Sequence, residues 1–134
     1  MATWQADFHV LLPPSGLPSD YRTALDGVLP RGASWTTDLE VWGVDDSDRI
    51  DVWNAGEPEM FARFDLRKWD MDLYERFLVF VRAANGRLRT ADNGNDVELT
   101  SGGFIHALRS SPAAQFVENP EAYLRSLDEH RDTP

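Results

Sequence analysis

Residues 38–66 read DLEVWGVDDSDRIDVWNAGEPEMFARFDL, and this stretch decides the fold. Apolar and polar residues alternate with period two through three runs, the pattern of β-strands with one face turned to a core. The turn clusters Asp45–Asp48 and Ala55–Pro58 separate the runs. Short polar side chains, glycine and proline are the residues that turns require. The stretch predicts a three-stranded antiparallel ribbon.

Loop length sets its register. A four-residue loop Asp45–Asp48 pairs Val44 with Arg49, Trp42 with Asp51, Val41 with Val52 and Glu40 with Trp53. Leu39, Val41, Ile50 and Val52 then share one face, and the third strand adds Met60, Ala62, Phe64 and Leu66 as the sheet side of the core. The other face carries Glu40, Trp42, Asp51, Trp53, Phe61 and Arg63, with Trp42 and Trp53 as diagonal neighbours. A slip by one residue is disfavoured on this reading, because it would bury Arg49 and Asp51.

Outward from the ribbon, Trp4–Leu12 alternates as a strand and stops at Pro13-Pro14, which cannot donate to a ladder. Ser19 is a suitable N-cap for a helix over Asp20–Leu29. Asp70 caps the strongest helical pattern, Met71–Asn85, and Gly86 follows as a candidate left-handed stop. Arg87–Thr90 and Val97–Thr100 read as a hairpin about Asn93-Gly94. A short helix starts at Thr100 or Ser101, Ser111-Pro112 marks a break or a new start, and Asn119-Pro120-Glu121 opens a last helix. Residues 128–134 read as a frayed tail. The order β-α-β-β-β-α-β-β-α-α predicts one α+β domain over residues 1–134, with helices packed on one face of a mainly antiparallel sheet.

Composition narrows the functional classes. The 134 residues carry a net charge of −10, with no cysteine. The acidic balance argues against nucleic acid and against anionic membranes as partners. It permits a basic protein partner, while plain solubility is the simpler reading of the same charge. No apolar run approaches the ~20 residues of a membrane span, and the start M-A-T-W-Q-A-D lacks the basic and apolar regions of a signal peptide. A cytoplasmic location is the expectation.

No constellation satisfies a catalytic, metal or cofactor pattern. The acidic turns Asp45–Asp48 and Asp92–Asp96 lack the glycine and glutamate positions of a calcium loop. His9, His106 and His130 have no metal-ligand spacing, although a carboxylate beside His9 could make it a base. Ser101-Gly102-Gly103 at a helix start, with Arg109 near, could hold an anion, but the P-loop lysine is missing.

The aromatic and charged ribbon face survives as the candidate site. Tryptophan and arginine dominate binding hot spots, so Glu40, Trp42, Asp51, Trp53, Phe61 and Arg63 form the expected partner surface. This points to a non-enzymatic binding domain, of inhibitor or immunity type, for a basic protein. The alternative is a ligand-binding or enzymatic domain with a pocket lined by His9, Trp35 and Tyr74. A homodimer is compatible with either. No cofactor is implied.

Overall fold

A computed structural model describes residues 3–119. The order is β1 (Gln5–Leu11), α1 (Tyr21–Asp26), β2 (Leu39–Gly43), β3 (Arg49–Trp53), β4 (Glu59–Asp65), α2 (Met71–Ala83), β5 (Arg87–Thr90), β6 (Asp96–Val97), α3 (Ser101–Arg109) and α4 (Pro112–Glu118). The six strands form one antiparallel sheet in the order β2-β3-β4-β1-β5-β6. This is the α+β architecture the pattern predicts. The last helix, expected after Pro120, the tail at 128–134 and His130 lie outside the described residues. At Ser111-Pro112 the chain does make a new start: α4 begins at Pro112, with Ser111 Oγ accepting from the Ala114 amide at 3.2 Å.

The helices pack on one face of the sheet. Phe8, Phe64, Tyr74, Phe77 and Phe104 meet there from β1, β4, α2 and α3, mostly edge to face, the arrangement aromatic quadrupoles favour. Asp70 holds the start of α2 by accepting from the Leu73 amide at 3.1 Å, and Thr100 does the same for α3 through the Gly103 amide. The end of α2 differs from the sequence reading. Asn85, not Gly86, takes the left-handed conformation, with φ 54°. Gly86 sits at a close approach: a Cβ there would lie 3.4 Å from the Leu11 carbonyl oxygen and 3.3 Å from Val81 Cγ1, tight enough that those neighbours would have to give by a few tenths of an ångström.

The main correction concerns the central hairpin. Trp42 pairs with Ile50, Glu40 with Val52 and Val41 with Asp51. The Val44 amide donates to the Asp48 carbonyl at 3.1 Å and the Ser47 amide to the Val44 carbonyl at 3.3 Å, so the loop between the closing residues is one shorter than expected. An odd change in loop length turns one strand over. Here β2 is the strand that turns. Ile50 and Val52 still face the helices, but Leu39 and Val41 move to the opposite face, and Glu40 and Trp42 move under α1. Gly43 permits the turn: it has φ 90°, and a Cβ would sit 2.0 Å from the Asp48 carbonyl oxygen.

The loop is pinned from the side. Trp4 Nε1 and an Arg67 guanidinium nitrogen donate to the Asp46 carbonyl, and Gln5 Nε2 donates to the carbonyls of Asp45 and Ser47. The Asp48 carboxylate turns inward and accepts from the Asp65 amide at 2.8 Å. The outer edge of β2 is covered as well. The Gly32 amide donates to the Val41 carbonyl and the Gly43 amide to the Pro30 carbonyl, which protects an edge strand. Among the described residues no helix is long and apolar enough to cross a membrane.

Candidate functional site

The face of the sheet away from the helices carries the candidate site. Side chains alternate across a strand, so this face collects Asp7 and His9 from β1, Leu39 and Val41 from β2, Arg49, Asp51 and Trp53 from β3, and Glu59, Phe61 and Arg63 from β4. The segment after Gly32 brings Trp35 across to meet Trp53 edge-on, with ring centroids 5.7 Å apart. Trp35 is 77 % exposed. Together Trp35, Leu39, Trp53, Phe61, Arg49 and Arg63 border a shallow groove of about 590 Å³.

The charges in the groove are arranged in pairs. Arg49 donates to Asp51 at 2.5 Å and also forms an ion pair with Asp45. Both Arg49 and Asp51 are buried, a position that charged groups tolerate only when paired. Arg63 faces Asp7 with Nε 3.7 Å from Oδ1. That Asp7 oxygen is buried and has no hydrogen-bond partner among the described residues. Burial pushes the Asp7 carboxyl up from its ordinary value, with the Arg63 charge opposing the shift. His9 stacks on Phe61, with centroids 4.8 Å apart and planes 15° from parallel.

The six residues expected to form one surface divide between two faces. Asp51, Trp53, Phe61 and Arg63 lie together on the open face. Trp42 does not: it is fully buried under α1, and its Nε1 donates to Asp26 Oδ1 at 2.8 Å. Glu40 also leaves the surface set. Its carboxylate accepts from Tyr21, from Arg22 at 2.7 and 3.0 Å, from Arg31 at 3.0 Å and from Asn54 at 2.7 Å. Burial alone would raise the Glu40 carboxyl, but the Arg22 and Tyr21 hydrogen bonds outweigh it and hold the group below its ordinary range. This is a tie between α1, β2 and the turn after β3, and not a free charge.

Trp35 takes the place of Trp42 in the surface set. No periodicity marks it, since it sits in an irregular segment. The pocket expected from His9, Trp35 and Tyr74 is not assembled: His9 lies on the open face, and Tyr74 is buried with Phe64 and Phe104. A different cleft, of about 850 Å³, lies between the start of β1, the β5–β6 hairpin and α3–α4, bordered by Ala6, Thr90, Asn93, Glu98, His106 and Ser110. One donor of the anion reading at Ser101-Gly102-Gly103 is already taken. The Gly103 amide is engaged by Thr100, and Gly103 is required because a Cβ would lie 2.7 Å from Glu98 Cβ.

The open face is that of an α+β protein with helices on one side only, and it presents aromatic rings among paired charges. Comparison with protein-family models, curated proteins and solved structures gave no match.

Proposed function

We propose that this chain is a non-enzymatic protein-binding domain that docks a partner on the uncovered face of its sheet. The observation that carries the reading is the Trp35–Trp53 pair above the groove, with Trp35 at 77 % exposure. A large aromatic held in water by its own chain is the typical anchor of a binding hot spot. Phe61 and the paired arginines beside it supply further contact and specificity. The net charge of −10 favours a partner of basic net charge, reached in the cytoplasm and held in the manner of an inhibitor. The experiment is affinity capture from native lysate at low and high salt. A single basic protein, retained at low salt by the wild type and lost by Trp35→Ala/Trp53→Ala, supports the reading. Equal capture by both proteins overturns it.

The cleft of about 850 Å³ supports a second reading, a small-molecule site, since its volume falls in the range of ligand pockets. A metabolite that raises the Tm of the wild type, and does so less for His106→Ala, would favour it.

A further inference from the structure

The chain lays its own arginines over two of its tryptophans. The Arg67 guanidinium lies 4.1 Å from the centre of the Trp4 ring, and that of Arg31 lies 4.5 Å from the centre of Trp42. In such contacts the negative face of the ring attracts the cation. The Trp35–Trp53 pair is different: among the described residues no guanidinium or ammonium lies over either ring. The two rings meet at 70°, with centroids 5.7 Å apart, and both border the groove. Glu59 stands directly opposite Trp53 in the β3–β4 pairing and shares its face. Glu59 is exposed, and its carboxylate has no ion pair or hydrogen bond among the described residues.

We propose that the corner formed by Trp35, Trp53 and Glu59 seats a lysine or arginine side chain of the protein partner. The inference rests on the binding reading above and specifies its contact. Charge in the groove favours this occupant. The lining holds three carboxylates, Asp7, Asp45 and Asp51, against two guanidiniums, Arg49 and Arg63. Both guanidiniums already face a carboxylate, Arg49 with Asp51 and Asp45, Arg63 with Asp7. They stand opposite each other at the far end of β3, four residues from Trp53 and roughly 13 Å away at the rise of a strand. Glu59 adds a further negative charge beside the rings. The buried Asp7 Oδ1, without a hydrogen-bond partner among the described residues, is likewise an acceptor. Indole offers a cation the most favourable ring face, and the carboxylate next to it supplies an ion pair. The net charge of −10 draws a basic partner in from a distance, and this corner receives one of its charges.

The test is an NMR titration at constant ionic strength that follows the indole N–H signals of Trp35 and Trp53. The signal of Trp69, exposed just before α2, is the control. The probes are the capped dipeptide amides acetyl-Leu-Arg, acetyl-Leu-Lys, acetyl-Leu-Gln and acetyl-Leu-Glu, with tetramethylammonium chloride as a fifth arm. The Arg and Lys dipeptides are expected to move both groove signals and leave Trp69 in place. They should half-saturate at roughly a fivefold lower concentration than the Gln dipeptide, the scale of one exposed cation–π contact with one surface ion pair. Glu59→Gln should lower that preference about twofold, because the ring faces remain. Trp35→Ala/Glu59→Gln should abolish it. Equal binding of the Gln or Glu dipeptide overturns the proposal, as does a preference that survives Trp35→Ala/Glu59→Gln. A Trp69 signal that moves along the same curve also overturns it, because the attraction would then be general. So does tetramethylammonium that saturates more readily than both basic dipeptides, since the corner would then serve a free ammonium ligand. The binding reading fails separately. A partner lost by Trp35→Ala/Trp53→Ala, with no preference among the dipeptides, leaves that reading standing and removes only the cationic contact.

Discussion

Trp42 stands directly across from Ile50 on the helix side of the sheet, and its indole nitrogen reaches Asp26 at the end of α1. The relationship joins the central hairpin to the first helix and fixes which face of β2 is covered. It also separates two tryptophans whose spacing invites treating them alike. Trp42→Phe should cost about 1–2 kcal/mol from the hydrogen bond lost to Asp26 and the smaller buried ring. Trp42→Ala should cost about 3–5 kcal/mol. Trp53→Ala, on the open face, should cost distinctly less than Trp42→Ala. Urea unfolding of the three variants checks the order. A Trp53→Ala cost equal to that of Trp42→Ala would place both rings in one environment.

Gly43 and Gly56 both have positive φ, at 90° and 82°, yet only Gly43 is crowded. Gly56→Ala should cost about 1–3 kcal/mol, the strain of a left-handed alanine. Gly43→Ala adds a steric collision with the Asp48 carbonyl and should cost more, or unfold the chain. Comparing their urea midpoints isolates the collision. Equal midpoints would argue against the hairpin closing at Val44 and Asp48.

Much of the fold could be read from the sequence, and the part that could not has a physical cause. Alternation in β3 and β4 assigns Ile50, Val52, Met60, Ala62 and Phe64 to the helix side, where they are fully buried. Capping at Asp70 and Thr100 places α2 and α3. The register of β2 is not predicted by alternation, because that rule holds only where β3 has one buried face. In the structure Arg49 and Asp51 are buried on the other face, where they neutralise each other and meet Asp45. Burial of a charge therefore did not discriminate between registers. The available signal is Gly43, since a glycine inside a strand marks local irregularity; apolar burial does not discriminate either, because Leu39 and Val41 are buried on one face of β2 and Trp42 on the other. Of the site, Asp51, Trp53, Phe61 and Arg63 were legible from alternation. Alternation cannot place Trp35 on that surface, because its position depends on a loop that crosses the sheet edge.

Among the described residues the buried Tyr74 hydroxyl has no hydrogen-bond partner. Burial pushes its pKa up to about 12, with the Asp70 backbone exerting a smaller opposite pull. An unpartnered buried hydroxyl lowers stability, so its removal should be free or favourable. Tyr74→Phe should leave stability unchanged or raise it by up to about 1 kcal/mol, measured by urea unfolding. A loss above about 1 kcal/mol would show that the hydroxyl has a partner.

Acid should act in opposite directions on two carboxylates. The folded state holds Glu40 below its ordinary 4.5. Its stabilisation is therefore complete above that value and is lost as pH falls through the lowered one. Asp48 is raised above 3.8, chiefly by burial, so its ionised form carries a cost at neutral pH that acidification relieves. Glu40→Gln should destabilise the protein more at pH 7 than at pH 3. Asp48→Asn, whose side-chain oxygen can still accept from the Asp65 amide, should compare more favourably with wild type at pH 7 than at pH 3. Thermal unfolding at both values checks the signs. A Glu40→Gln penalty that grows on acidification would contradict the assignment.

The central claim is that the uncovered sheet face, and no helix surface, meets the partner. The most direct measurement places a photo-cross-linking benzoylphenylalanine at Glu59, on the groove side of β4, and separately at Val79, exposed on the outer side of α2. Each protein is irradiated in native lysate. Docking on the sheet face should give a discrete adduct with one protein from position 59 and none from position 79. An adduct from position 79 with none from position 59 would contradict it.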